Sequence, residues 1–202
     1  GGSERVILCL ANNLERQNFN PSIIVMNGIG PMRSEVHDDV PIIDLKKPRL
    51  RTALPKLRAA VRRIAPDRVV SSMAYLNFGV LASLSTLPHS PSTLVREANS
   101  PQATAKALHV PFLAGLLYRA LYPRASRIIC PSETVADELA GYVGPGKKNI
   151  AVLANPVDVV RFREAATRLE RHPGAGKRFV CAGRLTHQKG FDRLLNIFAK
   201  SG

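Results

Sequence analysis

Three short stretches, SIIVM at 22–26, IICP at 128–131 and IAVLA at 150–154, are unbroken apolar runs rather than alternating ones. Each is strand-length and bounded by turn residues. A strand that is apolar on both faces must be covered on both faces, the condition met in parallel sheets with helices on either side. The segments between the runs carry helical spacing, so the chain alternates strand and helix. That alternation predicts an α/β fold built on a Rossmann-like parallel sheet.

The details follow from periodicity and punctuation. Val6, Ile7, Leu10, Ala11 and Leu14 recur at helical spacing and predict a helix over 4–16. Strands are expected at 21–27 and 40–45. A helix follows over 52–66, with Leu54, Leu57, Val61 and Ile64 on one face, Pro55 in its first turn and Pro66 at its end. Strands at 67–73, 92–97, 127–132 and 149–155 alternate with helices at 76–87, 104–122 (broken at Pro111) and 133–142. Ser132 is placed to cap the last of these, and Glu133 suits its positive end. Residues 163–178 are polar, basic and rich in Gly and Pro, and read as a linker. A new strand, turn and helix then begin with RFVCAGRL, THQKG and FDRLLNIFAK. The organisation expected is a first domain over 1–148 and the start of a second over 149–202.

Lysine and arginine number 29 against 15 acids, a net charge of +14 that calls for an anionic partner. The densest part is residues 46–68, where nine basic residues accompany Asp67 alone and much of the segment is an amphipathic helix. Such a helix suits an anionic membrane surface. No stretch is long and apolar enough to span a bilayer. Cys9, Cys130 and Cys181 lie far apart inside apolar runs, without metal-ligand or CxxC spacing, and are expected as buried free thiols of a reducing, cytoplasmic compartment. The five histidines are scattered without zinc spacing, so no metal site is expected.

The richest chemistry lies in GRLTHQKGFDRLL at 183–195. A strand ends in Gly183 and Arg184, a polar turn follows, and Lys189-Gly190 stands at the mouth of a helix. Helix-terminal N–H groups favour an anion there, Arg184 offers a planar fork for phosphate oxygens and Lys189 a point charge. On spacing alone, a diphosphate clamp and a solvated basic turn are equally served.

GRLxxQKGFDxLL, preceded by IICPSETVADELA and VLANPVD, resembles the retaining glycosyltransferases of family 4, which have the two-domain GT-B architecture. GGSERVILCLANNL, GPMRSEV with VPIIDL, and RIAPDRVVSS resemble the family's earlier segments in order. The resemblance implies a nucleotide-diphosphate sugar donor held mainly by the second domain, and a glycan or lipid-linked acceptor held mainly by the first. It implies that Arg184 and Lys189 bind the donor diphosphate and stabilise the leaving group without a metal, and that Gly183 lets the donor approach. Gly1 and Gly2 match a glycine turn that faces the donor diphosphate and reacting sugar from across the cleft. It further implies a first strand ahead of Gly1 and a Glu-x7-Glu pair beyond residue 202, so the 202 residues alone are expected to have little activity.

LVREANS at 94–100 ends a strand at the carboxyl edge of the sheet, where α/β ligands bind. Many family members carry a histidine in or beside this turn. Here Arg96, Glu97 and Asn99 are the acceptor-site candidates, with an Arg–Glu ion pair and an Asn turn as the structural alternative. Asn77 is a further acceptor candidate, and Ser72 lies beside it; both are equally suited to capping the next helix. The expected reaction is transfer of a hexose with retention, in surface polysaccharide or glycolipid synthesis, by an enzyme peripheral to the inner face of the membrane. Two other classes are weighed. GIGPMR at 28–33 suggests a nicotinamide-dependent oxidoreductase, but it lacks the third glycine and does not open directly into a helix. Charge alone suggests nucleic-acid binding, but no recognition motif or interleaved aromatic residues accompany it, and no nucleic-acid partner is expected.

Overall fold

The structure is a computed structural model, and it describes residues 2–107, 111–167, 179–183, 185–186 and 189–200. It divides into two compact units, 1–159 and 160–202. The first unit begins with helix α1 (Gly2–Asn13), followed by β1 (Ile23–Val25), β2 (Ile42–Asp44), α2 (Leu50–Ile64), β3 (Arg68–Ser72) and α3 (Ala74–Leu84). Then come β4 (Ser92–Arg96), α4 (Pro101–Ala107), α5 (Pro111–Leu121), β5 (Arg127–Cys130), α6 (Glu133–Val143) and β6 (Ile150–Val152). All strand pairs are parallel. β1 and β2 form one sheet, and β3-β4-β5-β6 form a second in sequential order. The α/β fold with parallel sheets is therefore as the apolar runs require.

Two apolar layers hold the unit together. Leu45, Ala53, Leu57, Val61, Val80 and Leu84 join α2 and α3 to both sheets, with Ile24, Ile43 and Val69 packed against them. The face of α2 that enters this layer is the one its periodicity marks; its other face carries the basic residues. Gly79 sits where the two helices press closest, since a Cβ there would lie 2.8 Å from Leu50 Cδ2. The second layer gathers Phe78, Val95, Tyr118, Tyr122, Ile128 and Leu139 beneath α3, α5 and α6. Its aromatic rings pack edge to face, with Phe78 and Tyr118 centroids 5.0 Å apart and Tyr118 and Tyr122 4.8 Å apart.

Local signals worked where the chemistry is local. Ser132 accepts the Val135 N–H at 3.4 Å and caps α6. α2 ends on Ala65 in the left-handed region (φ 48°), with Pro66 beyond. α2 begins at Leu50, so Pro55 stands inside the helix rather than in its first turn. The GIGPMR turn leads into a 3₁₀ turn over Pro31–Glu35 and no α-helix, which removes the dinucleotide-binding reading. Cys130 is buried, but Cys9 is half-buried and Cys181 exposed, which corrects the expectation of three buried thiols.

Strand β6, placed beyond residue 148 by the sequence, pairs with β5 and belongs to the first unit. Helix α7 (Val159–Thr167) occupies part of the segment read as linker; it is short, and its large apolar residues Val159, Val160 and Phe162 sit at its start, ahead of the polar stretch. In the second unit α8 (Phe191–Lys200) forms as expected. Residues 179–182, read as a strand, belong to none, because a strand needs a ladder partner and the described residues supply none there. Phe179 instead packs on Phe198 with ring centroids 5.0 Å apart.

Candidate active site

The carboxyl edge of the four-stranded sheet is defined by its register. Ser72 stands opposite Arg96, Arg96 opposite Ile129, and Cys130 opposite Val152. Side chains alternate along a strand, so consecutive residues at the end of β4 go to opposite faces. Val95 and Glu97 enter the aromatic layer, and Arg96 goes to the other side.

Glu97 is fully buried. Its carboxylate accepts the phenolic hydrogen of Tyr122, and its backbone N–H donates to the Ile129 carbonyl at 2.9 Å. Burial pushes the Glu97 pKa up to about 7, against the opposing pull of Tyr122, Tyr118 and Arg96. Tyr118 and Tyr122 are themselves raised, first by burial and then by the Glu97 charge. Cys130 is pushed up to about 12 by the same two causes. Asn77, in the first turn of α3 and also fully buried, donates to the Arg96 carbonyl at 3.0 Å and to the Tyr122 hydroxyl oxygen at 3.1 Å. Among the described residues, Asn77 Oδ1, Glu97 Oε1 and the Tyr118 hydroxyl are buried without a hydrogen-bond partner. The four side chains make a closed polar cage inside the aromatic layer.

Arg96 is only 5% exposed. Its Nη1 donates to Ser72 Oγ at 3.1 Å, and its Nη2 donates to Asn155 Oδ1. Both partners are neutral. Burial lowers its pKa, and the neighbouring Glu97 charge raises it. Asn155 belongs to the NPVD element after β6, so one guanidinium ties β3, β4 and that segment together.

Between β3 and α3, Met73 adopts φ 82°, a left-handed value that a side chain other than glycine rarely takes. Its N–H donates to the Arg96 carbonyl at 3.3 Å. Local strain of this kind concentrates at functional edges. Tyr75, the second residue of α3, is pushed up first by burial and then by the Glu4 charge, which brings the first turn of α1 to the same region.

The candidates therefore separate. Arg96 and Asn99 lie at the edge, Asn99 exposed and Arg96 nearly buried. Asn77 and Glu97 turn inward, so neither side chain is open to an acceptor, and Glu97 bonds Tyr122 rather than pairing with Arg96. Gly2 opens α1, and a Cβ there would meet nothing within 4 Å, so the protein itself leaves room at that position. Gly1 lies outside the described residues. The sequence reading missed Tyr122, Tyr118 and Asn155 as partners of the edge; their pairing is long-range, 59 residues for Arg96 and Asn155. Each reads locally as an ordinary core or turn residue.

In the second unit, Lys189 is exposed two residues before the start of α8, and its N–H donates to the Thr186 carbonyl at 2.9 Å. A Cβ on Gly183 would lie 3.5 Å from the Lys189 side chain, so these two candidates come together. Gly190 has φ +68°, which explains a glycine at the helix mouth. Arg184 lies outside the described residues. Among the described residues no three His, Cys, Asp or Glu side chains gather as a metal-binding group, and no helix is long and apolar enough to cross a membrane.

No curated protein sequence matches the chain. The family model described as Glycosyltransferase Family 4 matches residues 1–161, from α1 through β6 and into α7. That span holds the whole carboxyl edge and most of the chain, and the chain belongs to glycosyltransferase family 4.

Proposed function

We propose that this glycosyltransferase moves a hexose from a nucleotide-diphosphate sugar to a glycan or lipid-linked acceptor, with retention of anomeric configuration. The family match over 1–161 carries the reading. The acceptor is assigned to the carboxyl edge of the first unit, through Arg96 and Asn99. The donor is assigned to Gly183, Arg184 and Lys189, with Gly1 and Gly2 completing its surroundings. Positive charge at Arg184 and Lys189 stabilises the diphosphate as the glycosidic bond breaks, the role a metal fills elsewhere. The domain division proposed is an acceptor side and a donor side, with the acceptor side extended to include β6.

Surface glycan or glycolipid synthesis at an anionic membrane is the setting this reading favours. Along the basic face of α2, Arg51, Leu54, Arg58 and Arg62 line a cavity of about 610 Å³ with Ser83 of α3. Arg51 lies in the first turn of α2, where a positive charge opposes the helix dipole, so its presence suits an external anion.

The test is turnover with a panel of uridine and guanosine diphosphate sugars and lipid-phosphate acceptors. Release of nucleoside diphosphate with a retained anomeric centre, read by proton NMR, is the expected result. An inverted product would overturn retention. No release from any donor by folded protein that includes the implied first strand and Glu-x7-Glu segment would overturn the assignment of the reaction.

A further inference from the structure

We infer that Arg96 binds a phosphate group carried by the acceptor, making the carboxyl edge of β3 and β4 selective for phosphorylated acceptors. The inference rests on the acceptor-side reading above and names the substrate class for that site.

The argument begins with charge. Arg96 is 5% exposed, and its two hydrogen-bond partners, Ser72 and Asn155, are neutral. Ion pairs of the first unit such as Arg5 with Glu35 and Arg16 with Asp39 lie elsewhere and do not involve Arg96. Glu97, adjacent in sequence, turns its carboxylate to Tyr122 on the opposite face. Glu97 acts on Arg96 only through space, and a guanidinium withdrawn from water without an acid hydrogen-bonded to it is costly, a cost that an apolar residue of similar size avoids. A cation kept in such a place is explained when an anion completes it.

Geometry narrows the anion. A guanidinium has five N–H donors in a planar fork. Ser72 and Asn155 take one from each terminal nitrogen, which sets the plane of the fork and leaves three. Remaining parallel donors match two oxygens of one phosphate. The Ser72 hydroxyl accepts from Arg96 and keeps its own hydrogen free to donate to a third oxygen. The site lies where strands end, the position at which α/β folds bind ligands. Asn99, exposed two residues beyond the end of the fully buried Glu97 turn, lies beside it in the chain to meet a neutral part of the acceptor.

The net charge of +14 and the basic face of α2 agree with a phosphorylated, membrane-borne acceptor, but they would serve equally for attraction to a bilayer alone. Arg96 is different because it is not on that surface. It selects at short range, after attraction has done its part.

The test follows the Arg96 side-chain Nε–H resonance in the ¹⁵N-labelled 202-residue protein. Four probes are titrated: inorganic phosphate, a short-chain alkyl phosphate, an alkyl glycoside of equal chain length, and uridine diphosphate. Saturable shifts with the alkyl phosphate, stronger than with inorganic phosphate and absent with the glycoside, are expected. Arg96→Gln should weaken alkyl phosphate binding about tenfold or more, and Arg96→Lys should recover part of it. Should Arg96→Gln fail to fold, Ser72→Ala keeps the guanidinium and is expected to weaken binding about threefold to tenfold. Response to uridine diphosphate alone would assign the cation to the donor and overturn the inference. Response to the glycoside alone would overturn it while leaving the acceptor edge intact. Silence with all four probes would overturn both the inference and the acceptor assignment on which it rests.

Discussion

Tyr122 donates its phenolic hydrogen to Glu97 in a space where both side chains are fully withdrawn from solvent. The carboxyl group is held there with a pKa of about 7, above its ordinary value of 4.5, because burial disfavours the charge. The folded state thus holds the proton more tightly than the unfolded chain. The stability this contributes is complete below the unfolded value and is lost as pH rises toward 7. Over that window the loss is about 3 kcal/mol. Glu97→Gln should remove the dependence, so the gap between the two proteins in urea midpoint should widen in the variant's favour from pH 4.5 to 7.5. Parallel stability curves across that range would show that Glu97 ionises freely.

Asn77 joins α3 to the end of β4 and to Tyr122 with its two amide hydrogens. Asn77→Ala leaves a buried carbonyl and a buried hydroxyl oxygen without those donors. We expect a loss of about 1–3 kcal/mol in urea unfolding, with the slope unchanged. A change below 0.5 kcal/mol, by the same order-of-magnitude scale, would mean that water replaces the amide.

Charge on α2 should govern adhesion to membranes. Arg51 and Arg62 are exposed and lie on one stripe of the helix. Arg51→Gln with Arg62→Gln should reduce binding to phosphatidylserine vesicles by about tenfold or more, and raised salt should erase the difference. Thermal stability should hold, since neither side chain enters the core. Unchanged vesicle affinity would remove α2 from the membrane reading.

Lys189 is proposed to meet the donor diphosphate. In an active preparation, Lys189→Ala should lower kcat by about 10²–10³-fold, the scale of losing one charge-stabilising group. Gly190→Ala should lower it as well by disturbing the left-handed turn that presents Lys189. A normal kcat in Lys189→Ala would place the leaving-group contact elsewhere.

The fold was legible because its signals are local. Apolar runs announced buried strands, and Ser132 and Pro66 marked helix ends from their own chemistry. Helix α7 escaped because it is short and its large apolar residues, Val159, Val160 and Phe162, sit at its start, so most of it reads as the polar stretch that follows. The site was only half legible. Arg96, Glu97 and Asn99 could be singled out from their place at the end of a strand, yet alternation sends Arg96 and Glu97 to different faces, and their partners lie 59 and 25 residues away. Spacing within a turn cannot show which of two adjacent charges finds a hydroxyl and which a carboxamide. Residues 179–182 show the reverse limit: local propensity for a strand is insufficient where no neighbour completes the ladder.

The strand order β3-β4-β5-β6 also has a meaning in time. Each strand pairs with the next one synthesised, so each closure spans one helical connection and the ladder can grow as the chain lengthens. The bond from Arg96 to Asn155 spans two such connections and depends on β6 being in place. Folding should therefore dock β4 on β5 early and desolvate Arg96 late, giving Ile128→Val a higher φ-value than Asn155→Ala. The guanidinium that completes the sheet edge would then be among the last groups to leave water and the first to regain it.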